Sequence, residues 1–246
     1  MTAPHAQSTP DISIEFGSCG LCKAIDYCPF SIIGKQIGVG QKELLASVQT
    51  ISARKMICYP NEFPEFVSVI CNGWAATSVS LSDSRRQILS FLVSGDVFFV
   101  STLFKPMSGR QIEAITDVTY RSFKCRDIKT ALFKHPDMFE LLAKVWAEEQ
   151  EQSDQLAVDL GRRTAEERIA RLILNLLDKL AKRGMAQDLT MGFPLRQHHI
   201  ADAAGLTPVH VSRVLTKFRR SGLIGFAKRL LTVVDLPSLR RIAGTH

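Results

Sequence analysis

The segment from residue 197 to residue 215 constrains the fold of this chain more than any other stretch. Two short helical patterns meet at Gly205, where a residue without Cβ can adopt a positive φ and turn the chain. Thr207 can cap the second helix, and Pro208 suits the first helical position, where no amide donor is needed. The second helix then repeats apolar residues at steps of three and four: Val211, Val214 and Leu215. The segment therefore predicts a helix-turn-helix.

Positive charge is concentrated at the end of the chain that carries this motif. Residues 161–246 hold 16 Lys and Arg against 6 Asp and Glu, whereas residues 1–160 hold 15 against 18. Such an imbalance favours a nucleic-acid-binding half joined to a half with another task. A basic solvated surface is the alternative that charge alone leaves open.

The second helix of this motif ordinarily lies in the major groove of DNA. Its exposed N-terminal half is predicted to face the bases through Val209, His210, Ser212 and Arg213. Arg213 can bond bidentately to a guanine edge, and Ser212 can reach a base or a phosphate. Phosphate contacts are predicted for the surrounding cations: Lys217, Arg219, Arg220, Arg196 and Lys228. A helical hairpin without a DNA partner is the alternative.

Two adjacent histidines precede the turn of the motif. Neighbouring positions on a helix point to different sides, so His198 and His199 are poor joint metal ligands. We interpret both as surface residues.

The predicted secondary structure changes several times along the rest of the chain. Residues 1–18 are polar and predict a disordered tail, and a helix is expected over residues 41–52. Short runs separated by turn residues from 54 to about 123 predict a β-sandwich or β-roll. Residues 136–161 form a helical pattern, and a capping box at Thr164 and Glu167 begins another helix. The predicted divisions are a cysteine-rich segment and β-roll at 19–135, a helix at 136–161 and a winged motif at 162–246.

The predicted helix at 136–161 carries one row of residues at three- and four-residue steps: Leu142, Val145, Glu149, Gln152 and Leu156. Such a row predicts helix pairing between two copies of the chain. Its middle is polar, and two facing Glu149 side chains would repel, so association should be weak. The alternative is that Glu149 points to solvent.

The N-terminal cysteines have a spacing that suits a metal centre. Cys19, Cys22 and Cys28 give C-x2-C-x5-C, so that three thiolates can surround one soft metal site. An iron–sulfur cube needs a fourth ligand, for which Cys58, Cys71 and Cys125 are available. Cys58 and Cys71 fall in strand-like runs and are expected to be small core residues. A tetrahedral zinc site or purely structural cysteines are the alternatives.

These motifs resemble the CRP/FNR family of bacterial transcription regulators. The matching residues are 200–201, 205–207 and 212–215 in the helix-turn-helix, and 164–168 at the start of its domain. The resemblance implies an α+β fold: a cyclic-nucleotide-binding-like β-roll, a long dimerisation helix and a winged helix-turn-helix. It also implies a homodimer on a two-fold symmetric DNA operator, with RNA polymerase as a further partner. Val209 stands where many members have Glu, and because Val packs on a thymine methyl, a different half-site is expected.

The resemblance also bears on the signal. Members that bind cyclic nucleotides carry a Gly-Glu-Leu segment and an Arg-Ser or Arg-Thr pair, whereas residues 95–101 contain no Glu and Arg110 precedes Gln111. No cyclic nucleotide is therefore expected. The cysteines resemble those of the oxygen-sensing FNR branch, which implies a 4Fe-4S cluster on Cys19, Cys22, Cys28 and Cys125. In that branch oxygen degrades the cluster, and the dimeric, DNA-binding form is lost. Nitric oxide or another signal is the alternative.

The sequence argues against two other classes of protein. Apolar runs such as residues 172–177 are too short to span a membrane, and the first residues do not resemble a signal peptide, so a cytoplasmic protein is expected. A metal-dependent enzyme finds no support, because no His/carboxylate metal set, nucleophile–base pair or phosphate-cradling glycine loop stands out.

Overall fold

The computed structural model describes Cys28 and residues 46–60, 62, 64–104 and 109–244. The predicted tail at 1–18 and the predicted ligands Cys19 and Cys22 lie outside these residues. Within the described part, no helix is both long and apolar enough to cross a membrane.

The described part of the N-terminal β-roll contains eight strands. They are β1 (Ala46–Ile51), β2 (Met56–Cys58), β3 (Phe66–Asn72), β4 (Ala75–Ser80), β5 (Arg86–Leu92), β6 (Val97–Phe98), β7 (Gln111–Ala114) and β8 (Val118–Lys124). Two antiparallel sheets result, in the orders β1-β8-β3-β6 and β2-β7-β4-β5. The predicted β-roll is confirmed.

The expected helix over residues 41–52 is wrong wherever the structure describes that segment. Residues 46–51 form β1, which pairs along its whole length with β8, from Ala46 opposite Phe123 to Ile51 opposite Val118. Val48, Thr50 and Ile51 are β-branched and suit a pleated surface. Pairing with a distant strand thus outweighed the local helical pattern.

The sheet that contains β8 has an apolar cluster on each of its faces. The inner cluster fills the space between the two sheets and includes Cys58, Ile70, Ile112, Val118 and Tyr120. The outer cluster includes Val67, Val69, Phe123, Met138 and Leu142. We call these the inner and outer clusters below.

In the described residues, six α-helices and four further strands complete the fold. The helices are α1 (Cys125–Lys134), α2 (Asp137–Arg162), α3 (Ala165–Lys182), α4 (Gln197–Ala204), α5 (Pro208–Arg220) and α6 (Leu236–Ala243). The strands are β9 (Ala186–Gln187), β10 (Thr190–Gly192), β11 (Ile224–Ala227) and β12 (Leu230–Val233), in the sheet order β11-β12-β10-β9. The predicted capping box begins α3, since Thr164 accepts from the Glu167 amide while the Glu167 carboxylate accepts from the Thr164 amide.

The row of residues predicted to pair two copies begins on the outer cluster and runs along two grooves, and its role in pairing stays a prediction. Leu142 is only 1% exposed, because α2 begins on the outer cluster. Glu149 forms an ion pair with Arg110 of the same chain. Val145 and Gln152 line a groove between α2 and the β-roll, and Leu156 lines a groove beside α3. The sequence could not reveal this orientation, because one helix shows the same period whichever domain its apolar side meets.

A neighbouring side of α2 carries a different row at three- and four-residue steps. Five of its members are exposed and Ala143 is half-buried: Phe139, Ala143, Trp146, Gln150, Ser153 and Ala157. We call these six residues the outer row of α2. Three of the six residues are small, which suits close packing of a second helix.

Two groups of ion pairs join the β-roll to the C-terminal domain. Arg86 of β5 bonds to Asp202 of α4. Asp96, which follows β5, pairs with Lys179 at 2.6 Å and Arg183 at 2.7 Å, both in or next to α3. Burial alone would raise the pKa of Asp96, but these two cations outweigh it and hold that pKa below its usual value.

Candidate nucleic-acid interface

The first helix of the helix-turn-helix begins with an unusual cap. Nδ1 of His199 accepts a hydrogen bond from the Arg196 amide at 3.1 Å. The side chain of His199 is also buried, so its interpretation as a surface residue is wrong, whereas His198 is exposed. Burial, followed by the nearby charges of His198 and Arg86, lowers the pKa of His199 to about 4. At neutral pH the ring is uncharged, as an acceptor nitrogen requires.

The turn of the motif needs glycine for two reasons. Gly205 has a φ of 62°, in the left-handed region. A Cβ at this position would also lie 2.9 Å from Cδ2 of Leu160, at the end of α2. Arg168 of α3 donates to the carbonyl of Ala204 at 3.1 Å and so satisfies the end of α4. The turn is thus packed directly against the long helix.

The recognition helix α5 forms as its sequence predicts. The Thr207 hydroxyl accepts from the His210 amide at 3.2 Å, and Pro208 occupies the first turn. One face is buried: Val211, Val214, Leu215 and Phe218. The opposite face is therefore presented to solvent.

The residues predicted to contact bases share one open groove on that face. Val209 is 62% exposed, and it lines this groove together with Ser212 and Arg213. Gln197 at the start of α4 and the cations Lys217 and Arg220 complete the groove. His210 is exposed nearby and lines a smaller depression with Arg213.

The other predicted phosphate ligands are exposed around this groove. Arg196 precedes α4, and Arg219 lies near the end of α5. Lys228 occupies the tight turn between β11 and β12, where both Lys228 and Arg229 have positive φ. The predicted basic wing is confirmed as a two-stranded hairpin with a cationic tip.

One of the predicted phosphate ligands already has an anionic neighbour. Nζ of Lys217 lies 2.6 Å from Oε1 of Glu166 in α3. The two residues are 51 positions apart, so no sequence signal could have revealed the pair. A phosphate that binds Lys217 has to compete with this carboxylate.

The cysteines of the described residues lie in three different surroundings. Cys28 is 8% exposed and belongs to the outer cluster, against which Cys125 also packs. Cys125 is the first residue of α1, and its sulfur lies 3.4 Å from Oγ1 of Thr102. Cys71 is fully buried, and Cys58 belongs to the inner cluster. No group of three or more potential metal ligands occurs within the described residues, from which Cys19 and Cys22 are missing.

Comparison with known proteins identifies the class. Residues 167–242 match the family of Crp-like helix-turn-helix domains. The nitrogen fixation regulation protein FixK of Rhizobium meliloti is 32% identical over a segment that covers 66% of this chain and 71% of the length of FixK. The transcriptional activator protein FnrL of Cereibacter sphaeroides is 27% identical over 82% of each chain. The solved structure of FixK2 from Bradyrhizobium japonicum superimposes with a TM-score of 0.73 and 29% identity, covering 80% of this chain and 96% of that one.

These features define a DNA-binding regulator built from a β-roll, a long helix and a winged helix-turn-helix. The chain belongs to the CRP/FNR family of transcription regulators. It is therefore a regulator of transcription rather than an enzyme.

Proposed function

We propose that α5 reads a two-fold symmetric DNA operator, with Arg213 as the principal base contact. The supporting observation is the open groove in which Arg213, Ser212 and Val209 share one surface at the N-terminal half of the helix. Arg213 presents a planar fork of donors that matches a guanine edge, and Val209 offers a methyl contact to thymine. Arg196, Arg219, Arg220 and Lys228 surround this surface and supply sequence-independent attraction to phosphates.

A two-fold symmetric operator requires two copies of the chain, and α2 offers the surface for pairing. Its outer row contains the aromatic side chains Phe139 and Trp146 and three small residues on a helix of 26 residues. Trp146 is half exposed there although it stacks on Phe104, with ring centroids 5.7 Å apart. An exposed large aromatic side chain on such a row favours burial against a second copy. RNA polymerase is the expected further partner of the DNA-bound dimer.

The proposed signal is oxygen or redox state, sensed through a 4Fe-4S cluster on Cys19, Cys22, Cys28 and Cys125. Of these, Cys28 and Cys125 are described, and both belong to or pack against the outer cluster. Burial, reinforced by Glu62, raises the pKa of Cys58 to about 12, so this thiol stays protonated and is a poor metal ligand. When bound, the cluster would supply an oxygen-sensitive group whose loss weakens the dimer.

The β-roll offers little to a cyclic nucleotide. Arg110, which takes the place of the family's phosphate-binding arginine, pairs with Glu149. Asp96 stands in the aligned Gly-Glu-Leu segment and is held by Lys179 and Arg183. We therefore assign the regulatory signal to the cysteines rather than to this groove.

The decisive experiment is purification without air. Protein prepared in this way should contain iron and sulfide in equal amounts and absorb broadly in the visible range, whereas zinc without sulfide would indicate a zinc site. Replacing any one of the four proposed ligands by Ser should remove both, while Cys71→Ser and Cys58→Ser should retain them. Iron retained in Cys125→Ser but lost in Cys71→Ser would mean that Cys71, and not Cys125, is the fourth ligand. Operator binding that is unchanged by both oxygen and nitric oxide would contradict the sensing role. Operator binding that is lost with nitric oxide but not with oxygen would identify nitric oxide as the signal.

A further inference from the structure

Arg121 is a buried arginine in the middle of β8. The side chain is 6% exposed, and the residue lies opposite Val48 of β1 and Val69 of β3. Directly opposed residues share a face of a sheet, so Arg121 lies on the outer face with Val69. A cation on this apolar face needs an explanation.

The same face leads to Cys125. Residues at every second position of a strand share a face, which places Arg121 and Phe123 together. The Cys125 amide donates to the Glu65 carbonyl at 2.8 Å, so the ladder between β8 and β3 continues to Cys125. Arg121, Phe123 and Cys125 therefore follow one another on the outer face, and Cys28 belongs to the cluster on that face.

Two of the three guanidinium nitrogens of Arg121 lack a partner in the part of the chain that the structure describes. Within the described residues, neither Nε nor Nη2 has a hydrogen-bond acceptor, although both are buried. The buried Arg171 differs: its Nε also lacks a hydrogen bond of good geometry, but it lies 3.0 Å from a carboxylate oxygen of Asp159, and Nη2 donates to Gln155 at 2.9 Å. An unpaired buried charge is strongly unfavourable, so an anionic group is the natural complement of Arg121.

We infer that Arg121 is the charge partner of the proposed cluster and donates N–H bonds to its sulfurs or to the ligating thiolates. This inference rests on the proposed function. Four thiolates outweigh the positive charge of a cubane core, so the complex is anionic and its burial requires compensation. Hydrogen bonds to the sulfurs and nearby charge are the means by which a protein stabilises such a cluster. Arg121 supplies the hydrogen bonds and the charge from strand β8, on the sheet face that the outer cluster covers.

The test compares Arg121→Met with the matched control Arg126→Met. Met retains most of the length of the side chain without charge or donors, and Arg126 is an 82% exposed arginine next to Cys125. Each protein is loaded with iron and sulfide without air, and the half-time of iron transfer to a ferrous chelator is measured. The thermal midpoint of each cluster-free protein is measured in parallel.

Arg121→Met should lose iron about tenfold faster than the unchanged protein, because hydrogen bonds to charged groups are among the strongest in proteins. Its cluster-free form should melt at or above the unchanged midpoint, because the variant removes an unpaired buried charge. Arg121→Lys, which keeps the charge without the planar fork, should fall between the two. Arg126→Met should match the unchanged protein in both measurements.

Three outcomes would overturn the inference. Iron loss from Arg121→Met at the unchanged rate would do so while leaving the cluster itself in place. A cluster-free Arg121→Met protein that melts far below the unchanged one, or does not fold, would make Arg121 a structural residue. Failure of the unchanged protein to take up iron and sulfide would remove the proposed sensing function and this inference together.

Discussion

The guanidinium of Arg86 ties the β-roll to the helix-turn-helix, because Nε and Nη2 lie 2.9 and 2.8 Å from Oδ2 of Asp202. Arg86 also pairs with Glu113 of β7, so one cation is shared by two carboxylates from different parts of the fold. Burial lowers the pKa of Arg86, but these two carboxylates outweigh it and raise that pKa above its ordinary value. The contact fixes the first helix of the DNA-binding motif against β5.

A double-mutant cycle with Arg86→Gln and Asp202→Asn should reveal this contact in urea unfolding. We expect a coupling free energy of about 0.5–3 kcal/mol, because the two groups touch and are largely shielded from solvent. The matched control is the exposed pair of Asp83 and Arg85, whose nitrogen and oxygen lie 2.7 Å apart in the adjacent turn. That pair should show a coupling of about 1 kcal/mol or less. Equal coupling in the two cycles would mean that the domains are held together elsewhere.

The sequence predicted those parts of the structure that depend on local signals. The capping box at Thr164, the glycine turn at Gly205 and the hairpin at Lys228 each lie within a few residues of their cause. Contacts between distant segments could not be predicted from the sequence. Asp202 is 116 positions from Arg86, and no local pattern distinguishes a paired carboxylate from a solvated one.

The helical period of α2 was predicted correctly, and the side on which two copies would meet stays a prediction. One interpretation within the helices is wrong, that of His199 as a surface residue. His199 stands three positions after the first cap residue, where a side chain can reach back to the backbone. A capping box ordinarily has Glu or Gln at that position, so a histidine there carries no recognisable capping signal.

Arg213 and Lys217 should respond differently to removal. Arg213→Ala should cost about 1–3 kcal/mol in operator binding and relax the preference at one base pair of each half-site. Lys217→Ala should weaken all sequences alike and reduce the salt dependence of binding by roughly one unit of slope. Titrations of specific and random DNA at several salt concentrations measure both. Equal losses on both DNAs for Arg213→Ala would refute its role in base recognition.

Glu166→Gln should have the opposite effect to Lys217→Ala. The carboxylate holds the Lys217 ammonium at 2.6 Å, so its neutralisation frees the cation for phosphate. Affinity should rise by a small factor for specific and random DNA alike, since exposed pairs contribute only about 0.2–1 kcal/mol. Glu167→Gln is unsuitable as a control, because Glu167 closes the capping box. In the Lys217→Ala background the substitution of Glu166 should have a smaller effect, and an undiminished gain would mean that it acts through general charge alone.

His199 should make the DNA-binding domain sensitive to acid. Its pKa of about 4 in the folded chain lies below the ordinary 6.5, so between these values the unfolded chain binds more protons. Stability from this group is complete above about pH 6.5 and decreases as the pH falls towards 4, by up to about 1.4 kcal/mol per pH unit. His199→Asn keeps an acceptor for the Arg196 amide but does not titrate. The difference in unfolding free energy between the two proteins should stay constant above pH 7 and shrink by pH 5, whereas parallel curves would place the imidazole in solvent.

Pairing of two copies through α2 can be tested with two neighbouring residues. Gln150 belongs to the outer row and bonds only to Asp154 one turn away among the described side chains, whereas Glu149 faces the β-roll and pairs with Arg110. Gln150→Leu should therefore strengthen the dimer, because full burial of a leucine is worth about 1.5–3 kcal/mol and occurs on both chains. Even half of one such burial approaches the roughly 1.4 kcal/mol that corresponds to a tenfold shift in association.

Sedimentation equilibrium in air and without air measures the association of each variant. We expect Gln150→Leu to be dimeric in air and to bind its operator without an intact cluster. Stronger pairing through the outer row of α2 would make the dimer independent of the cluster. Glu149→Leu should associate no more strongly than the unchanged protein and should lose stability, since it leaves Arg110 without its carboxylate. If Glu149→Leu promotes the dimer and Gln150→Leu does not, then two copies meet along the row of Leu142, Val145, Glu149, Gln152 and Leu156.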